Sequence, residues 1–232
     1  MASLEVMMLE KLPGFVGHAL QDRRAGLENI LSNKIRLAGA VYKLEVWSPA
    51  FSPNGLLPTR FTSDGDAIAP PLQWGGVPDT AANLVLIVED ADSPTAEPLV
   101  HAIAVDIDPH RVGIAEGELT APADELALKL GRNSYLRQGW LPPDPPPGHG
   151  VHRYAFQVFA LREGKAFSDA PGRRELAEAI RDRALAVGCL IGPYERSEAG
   201  NGRQHSELPA GSEDLHRLPE VPKVGSTDAP GG

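Results

Sequence analysis

The sequence predicts a mainly β fold, a sandwich of many short strands. Short apolar runs alternate with turn residues from about residue 40 onward, a pattern typical of antiparallel β domains. The chain also contains 24 glycines and 22 prolines, which favour turns and loops over long helices. A hydrophobic fraction of 42% over 232 residues is sufficient for one domain with a substantial core.

The N-terminal part of the chain predicts a helix. Between Leu9 and Ile35, apolar residues recur at helical spacing with polar residues between them, and Pro13 would break or begin the helix. We therefore expect residues 1–39 to form an N-terminal helical extension, packed on the domain or on a second subunit.

Residues 40–196 are predicted to form the β domain. Short strands are expected at Val41–Trp47, Leu72–Trp74 and Val100–Ile107, with turn residues between them. Leu84–Val88 is apolar at every position, which is typical of a central strand buried on both faces.

The C-terminal part predicts a second helix and a tail. Gly172–Cys189 carries apolar residues at helical spacing, and Gly188 is a candidate C-cap. Residues 197–232 lack aromatic side chains and are rich in Gly, Pro, Ser and charge, so we expect a disordered tail.

Charge and cysteine content narrow the function classes. A formal net charge of −9 argues against binding to nucleic acid or to anionic membranes. Cys189 is the single cysteine, so no internal disulfide can form. The longest aliphatic run is too short to span a bilayer, and no secretory leader pattern is present. We expect a cytoplasmic protein without stable membrane insertion.

A stiff turn, Pro145–Gly150, precedes a strand that carries two polar side chains on its core-facing side. In that strand His152 and Tyr154 share the parity of Phe156 and Val158. They are expected either to line a small polar pocket or simply to satisfy neighbouring backbone groups.

Two further polar residues are expected near the same end of the sandwich. Asp90 shares the parity of Leu86 and Val88, and His101 shares that of Ile103. If a carboxylate holds one imidazole, the remaining imidazole and phenol groups would be donors suited to an anion. The alternative for Asp90 and for Asp92 in the turn is ordinary turn capping.

A metal site is the competing interpretation. His149 and His152 lie three residues apart, and Asp90, Asp92 and His101 could complete the ligand set. On an extended chain, however, residues i and i+3 point to opposite sides, so we expect no metal and no cofactor. Hydrolase motifs are missing from the sequence, so we predict no enzymatic activity.

Three blocks of the sequence carry a family resemblance. They are Phe61–Asp66 running on to Pro70–Trp74, then Asp90–Pro94 closing with His101, and finally Pro145–Tyr154. In order and spacing these blocks resemble the phosphatidylethanolamine-binding protein family, in its bacterial branch of Raf kinase inhibitor-like proteins.

The resemblance implies a Greek-key β-sandwich with peripheral N- and C-terminal helices and a small anion pocket at one end. The implied ligand is a phosphate- or carboxylate-bearing small molecule, such as a phospholipid headgroup, and the implied assembly is a homodimer. By motif match, the ligand-binding residues are Asp90, Asp92, His101, Pro145, Gly150, His152 and Tyr154.

The sequence departs from the family pattern at three positions. Ala102 stands where relatives commonly have Trp, Ala91 stands where Pro is usual, and Asp144 stands where Gly or Cys is common. A carboxylate at Asp144 would disfavour an anion if it pointed into the pocket.

Three functions follow from these patterns. The first is a non-enzymatic binding protein that holds a phosphate-bearing group. The second is an inhibitor of a kinase or serine protease that acts through protein–protein contacts. The third is a weak hydrolase or lyase that uses His101 and His152 as acid and base.

Overall fold

The computed structural model describes residues 18–20, 22–35, 42–120 and 128–196. Within them lie nine strands, two α-helices and three 3₁₀ turns. The strands are β1 Tyr42–Lys43, β2 Glu45–Trp47, β3 Leu72–Gly75, β4 Asn83–Asp90, β5 Leu99–Ile107, β6 Gly113–Ile114, β7 Lys129–Leu130, β8 His152–Leu161 and β9 Ala184–Tyr194; the helices are α1 Leu31–Lys34 and α2 Arg173–Arg183; the 3₁₀ turns are Leu27–Asn29, Thr59–Phe61 and Glu118–Thr120.

The strands form two sheets. The large sheet has the order β1-β9-β8-β4-β5-β7, and the small sheet has the order β2-β3-β6. All pairs are antiparallel except β1 with β9, which makes the large sheet mixed. The mainly β class predicted from the turn-rich pattern is confirmed, whereas the Greek-key connection stays a prediction.

The apolar run of β4 explains the layering. Leu84 to Val88 are fully buried, because β4 lies between β5 and β8 and is covered on both faces. One face, with Leu86 and Val88, packs against Leu72 and Trp74 of the small sheet. The central-strand prediction is therefore confirmed.

The other face of the large sheet is covered by helical segments. Val85 and Ile87 of β4 pack there with Leu176 and Ile180 of α2 and with Leu31 of α1. Burying these apolar side chains supplies the hydrophobic stabilisation of this layer.

The described residues of the N-terminal extension do not form the continuous helix that the spacing predicts. Residues 23–26 are irregular, and they are followed by the short 3₁₀ turn and by the single-turn helix α1. The backbone N–H groups of Ala25 and Gly26 instead donate to the carbonyls of Ser93 and Ala91, which attaches the segment to the end of β4. The rest of the predicted helix lies outside the described residues, and the boundary at residue 39 stays a prediction.

The second predicted helix ends earlier than expected. α2 stops at Arg183, and Ala184 begins β9, so Gly188 lies inside a strand and is not a helix cap. Alternate residues from Ala184 to Tyr194 are buried, which is the period of two of a strand. Several of the buried positions are Ala or Gly, so this period is not visible as a hydrophobic pattern in the sequence. The predicted tail, residues 197–232, lies outside the described part of the chain. None of the helices in the described ranges has the length and apolar content needed to cross a bilayer.

Candidate ligand pocket

Polar side chains of β4 and β8 meet at one end of the large sheet. Asp90 is directly opposite Tyr154, and Val88 is opposite Phe156 two residues further along the ladder. Asp90 and Tyr154 therefore point to the same face, and His152 follows on that face at the start of β8. The alternation in the sequence correctly places these three residues.

His101 reaches the same face for a reason that the alternation misses. Val88 pairs with Ala102 and Glu89 pairs with Val100, so His101 is the extra residue of a β-bulge in β5. The expected shared face with Ile103 is therefore wrong. The His101 ring instead packs edge-on against Tyr154, with a centroid distance of 5.0 Å.

These side chains border a cavity of about 40 Å³. That volume holds about three water-sized groups. The cavity is bounded by the ends of β4, β5 and β8 and by the loop before β8. Its lining residues are Asp90, Ser93, Pro94, Leu99, His101, Tyr135, Leu141, Pro142, Asp144, Pro145, Pro146, His152 and Tyr154.

His152 belongs to a buried chain of hydrogen bonds that uses both of its ring nitrogens. Its Nδ1 lies 2.7 Å from Asp90 Oδ2, and its Nε2 lies 2.6 Å from Nδ1 of His149. Nε2 of His149 in turn donates to the Leu20 carbonyl at 2.8 Å. His152 thus positions Asp90 and leaves no ring nitrogen for a ligand, unlike the donor role expected for it.

The chain of hydrogen bonds determines how many protons it holds. The Leu20 carbonyl and the Asp90 carboxylate only accept, so three successive hydrogen bonds require three hydrogens. Two neutral imidazoles bring two hydrogens, so the network holds one more. His149, His152 and Asp90 together are then electrically neutral.

His101 and Tyr154 have polar atoms without a hydrogen-bond partner among the described residues. His101 Nδ1 donates to the Leu141 carbonyl at 2.7 Å, while within the same ranges its Nε2 has no partner, and neither does Tyr154 Oη. Both residues are buried and both line the cavity. Burial lowers the pKa of His101 despite the nearby Asp90 charge, and burial raises the pKa of Tyr154 well above its usual value. Both groups are therefore neutral at pH 7.

Asp92 supports the turn and lies outside the cavity lining. Its Oδ2 accepts from the backbone N–H and Nε of Arg153, and its Oδ1 accepts from Arg153 Nη2. Arg24 approaches the same carboxylate at 3.1 Å. Burial raises the pKa of Asp92, but the hydrogen bonds from Arg153 outweigh it and the net shift is downward. Asp92 therefore braces the turn against β8, while the turn cap is made by Asp90, whose Oδ1 accepts from the Asp92 N–H at 2.8 Å.

The loop before β8 is shaped by glycines and held by Arg24. Gly148 and Gly150 have φ of +78° and +87°, which side-chain-bearing residues rarely adopt. Arg24 donates to the carbonyls of Val151 and His149, at 2.7 Å and 3.0 Å. Gly150 therefore shapes the loop, whereas Pro145 borders the cavity directly.

Asp144 has a cationic partner that the sequence spacing does not indicate. Arg196, just after β9, contacts Asp144 and also forms a two-pronged ion pair with Asp64. Tyr194 donates to the same Asp64 carboxylate at 2.5 Å. Asp64 therefore serves this network, and Arg196 pairs with both Asp64 and Asp144 beside the cavity.

Arg24, Arg196 and the Leu141 carbonyl are parts of the site that the sequence analysis missed. Arg24 acts on residues more than 120 positions away, and a backbone carbonyl has no signature in a sequence. His149 was considered as a metal ligand, but it hydrogen-bonds His152 directly. Across the described ranges, no cluster of three or more His, Cys, Asp or Glu side chains is arranged to hold a metal ion.

Comparison with known proteins gives consistent matches. The family model for phosphatidylethanolamine-binding proteins matches residues 47–195. A UPF0098 protein of Pyrococcus horikoshii is 37% identical over 153 residues, covering 64% of this chain and 75% of its own length. A UPF0098 protein of Aquifex aeolicus is 33% identical over 168 residues, covering 72% of this chain and 96% of its own.

Solved structures agree with the fold. A phosphatidylethanolamine-binding protein homolog from Chlamydia trachomatis superimposes with a TM-score of 0.60 at 31% identity, over 67% of this chain and 99% of that one. YbcL of E. coli has a TM-score of 0.62 at 23% identity with the same coverage, which supports the fold alone. One relative, from Mycobacterium tuberculosis and 32% identical over 158 residues, carries a lipoprotein name, so the cytoplasmic location stays a prediction.

Proposed function

The chain belongs to the phosphatidylethanolamine-binding protein family, and from that premise we propose that it is a non-enzymatic binding protein whose pocket holds a small phosphate-bearing group. The ligand class includes free phosphate and the phosphate of a phospholipid headgroup.

One observation carries the proposal. His101 Nε2 and Tyr154 Oη are buried, line the same cavity and have no hydrogen-bond partner in the part of the chain that the structure describes. Buried polar atoms are normally paired, because each unpaired one costs about 1–3 kcal/mol. A small ligand or solvent that pairs with both atoms would recover that cost.

The dimensions favour a small group. A cavity of about 40 Å³ has room for the oxygens of one phosphate but not for an acyl chain. The remainder of a larger ligand would therefore lie outside the cavity.

The hydrogen bonds of the imidazoles support a binding role over turnover. His101 bonds a carbonyl, His149 bonds a carbonyl and His152, and His152 bonds Asp90. A nucleophile–base pair needs an imidazole within reach of a hydroxyl or thiol. Inhibition of a kinase or serine protease, and homodimerisation, stay predictions of the family resemblance.

The test is calorimetric titration of the protein with phosphate and with phosphoethanolamine. We expect Tyr154→Phe to weaken binding of both ligands about tenfold, because it removes one ligand hydrogen bond. Tyr42→Phe is the matched control, since Tyr42 is exposed and far from the cavity lining. Equal affinities for wild type and Tyr154→Phe would contradict the assignment of this pocket.

A further inference from the structure

The geometry points to a rule of ligand selection that rests on the proposed function: the pocket recognises a phosphate group that still carries a proton. The preferred ligand is a phosphomonoester monoanion, whose P–OH donates to His101 Nε2 while Tyr154 donates to another phosphate oxygen. Sulfate and phosphodiesters, which have no such hydroxyl, are disfavoured.

The tautomer of His101 is the first step of the argument. A backbone carbonyl can only accept, so the 2.7 Å contact with Leu141 places the ring hydrogen on Nδ1. The neutral ring then presents Nε2 as an acceptor. Burial keeps the ring neutral at pH 7, since it lowers the pKa of His101. A phosphate oxygen without a hydrogen would face the lone pair of His101 Nε2 and could not form a hydrogen bond with it.

The positive charges around His101 are already paired with carboxylates, which is the second step. From β4 it faces Asp90, whose charge is matched by the additional proton of its hydrogen-bond chain with His152 and His149. From the loop before β8 it faces Asp144, which pairs with Arg196, a cation that also pairs with Asp64.

The remaining titratable groups that line the cavity beside His101 are phenols. Tyr154 of β8 is neutral, because burial raises its pKa, and Tyr135 comes from the loop after β7. No cation among the described lining residues is therefore left over for a dianion. A phosphate monoanion that still carries a P–OH can donate to His101 Nε2 and accept from Tyr154. It also brings less uncompensated negative charge into the pocket than a dianion would.

The experiment compares two ligands of equal charge, methyl phosphate and dimethyl phosphate, by calorimetry. At about pH 6.5 the diester is a monoanion and roughly a quarter of the monoester is, since the second pKa of a phosphomonoester is about 6. The His101 ring is mostly neutral at this pH, because burial lowers its pKa from 6.5, and the affinities are compared per monoanion. We expect methyl phosphate to bind about tenfold or more tightly, because the diester leaves Nε2 unpaired. Equal affinities at that pH overturn the rule while leaving the proposed phosphate pocket intact.

The pH dependence gives a second readout. Affinity for methyl phosphate should fall about tenfold per pH unit above about pH 6, as the required proton is lost from the free ligand. Titrations at about pH 8 in buffers of different ionisation enthalpy should show uptake of about one proton per ligand bound. No proton uptake overturns the rule. Absence of phosphate binding at every pH overturns the proposed function, and the rule with it.

The state of His101 can be read without any ligand or variant. A long-range ¹H–¹⁵N correlation spectrum of the free protein at pH 7 should show His101 with a protonated Nδ1 and a bare Nε2. A doubly protonated ring, or a hydrogen on Nε2, would contradict the inference. His101→Gln should remove the difference between the monoester and the diester, and the same spectra report whether that variant is folded.

Discussion

Two neighbouring carboxylates on β4 illustrate the two uses of buried polar groups in this protein. Glu89 and Asp90 are adjacent, so their side chains leave the large sheet on opposite faces. Both are buried in the protein interior. Glu89 faces the helical layer, and Asp90 faces the end of the sandwich where the cavity lies.

On the helical side, the hydrogen bonds of Glu89 are complete. Its Oε2 accepts from the Leu31 N–H at 2.8 Å and from Gln157 Nε2 at 2.7 Å, and its Oε1 accepts from Arg173 Nε at 2.6 Å. Gln157 also accepts from the Ser32 N–H. The cluster joins the N-terminal segment and α2 to the sheet, which is a structural task.

On the cavity side, Asp90 is satisfied but the groups around it are not. Across the described ranges, His101 Nε2 and Tyr154 Oη remain without partners. The difference shows that buried charge alone does not indicate a ligand site in this fold, because Glu89 is as buried as any pocket residue. Unpaired polar atoms beside a cavity distinguish the site from the structural cluster.

The largest expected effect comes from breaking the structural cluster. Glu89→Ala should lower the free energy of unfolding by about 3–5 kcal/mol, because it leaves the largely buried Arg173 and a backbone N–H without their partner. Chemical denaturation measures the loss. Phosphate affinity of the folded fraction should be unchanged.

The matched control is Glu97→Ala. Glu97 also pairs with Arg173, at 3.3 Å, but its side chain is 57% exposed, so its loss should cost less than about 1 kcal/mol. If Glu89→Ala and Glu97→Ala lowered the free energy of unfolding by similar amounts, burial would not explain the difference expected between these two carboxylates.

The second expected effect contrasts two buried tyrosines. Tyr194→Phe should cost about 1–2 kcal/mol of unfolding free energy, because its hydroxyl donates to the Asp64 carboxylate. Tyr154→Phe should cost less than about 0.5 kcal/mol, because its hydroxyl has no partner among the residues described. Both are measured by urea denaturation without ligand. A loss in Tyr154→Phe as large as that in Tyr194→Phe would mean that its hydroxyl is already satisfied.

The smallest expected effect is on the pH dependence of stability. Burial lowers the pKa of His101 and of His149, with the His152 charge contributing at His149, while the unfolded imidazole keeps its usual value near 6.5. The unfolded chain therefore takes up more protons below that pH, so stability is complete above pH 6.5 and decreases as the pH falls through it.

We expect a decrease of about 1 kcal/mol or more between pH 7 and pH 5. Thermal unfolding across this range measures it, and His149→Gln, which can retain both hydrogen bonds, should show a shallower decrease. A stability that is flat or rising towards pH 5 in the wild type would contradict neutral, buried imidazoles at these positions.

Strands β4, β5 and β8 of the large sheet could be predicted from local pattern, whereas the same reasoning wrongly assigns part of β9 to a helix. Leu84–Val88 is apolar at every position, and the parity of Asp90, His152 and Tyr154 places them on one face. The glycines of the loop before β8 also behave as the sequence indicates, since Gly148 and Gly150 adopt left-handed backbone conformations. These features depend on short-range periodicity and backbone sterics, which a sequence records directly.

Tertiary structure decided the chemistry of the pocket. A single-residue bulge moves His101 to the cavity face, and register between strands is a property of their pairing, not of either strand alone. The Leu141 carbonyl sets the tautomer of His101, and His149 occupies the nitrogen of His152 that the sequence left available. Composition and periodicity were sufficient to predict a turn-rich β protein with polar groups at one end of its sandwich. Long-range pairing determined which of those groups accept, which donate and which are already in use, because hydrogen-bond partners are set by contacts between distant parts of the chain.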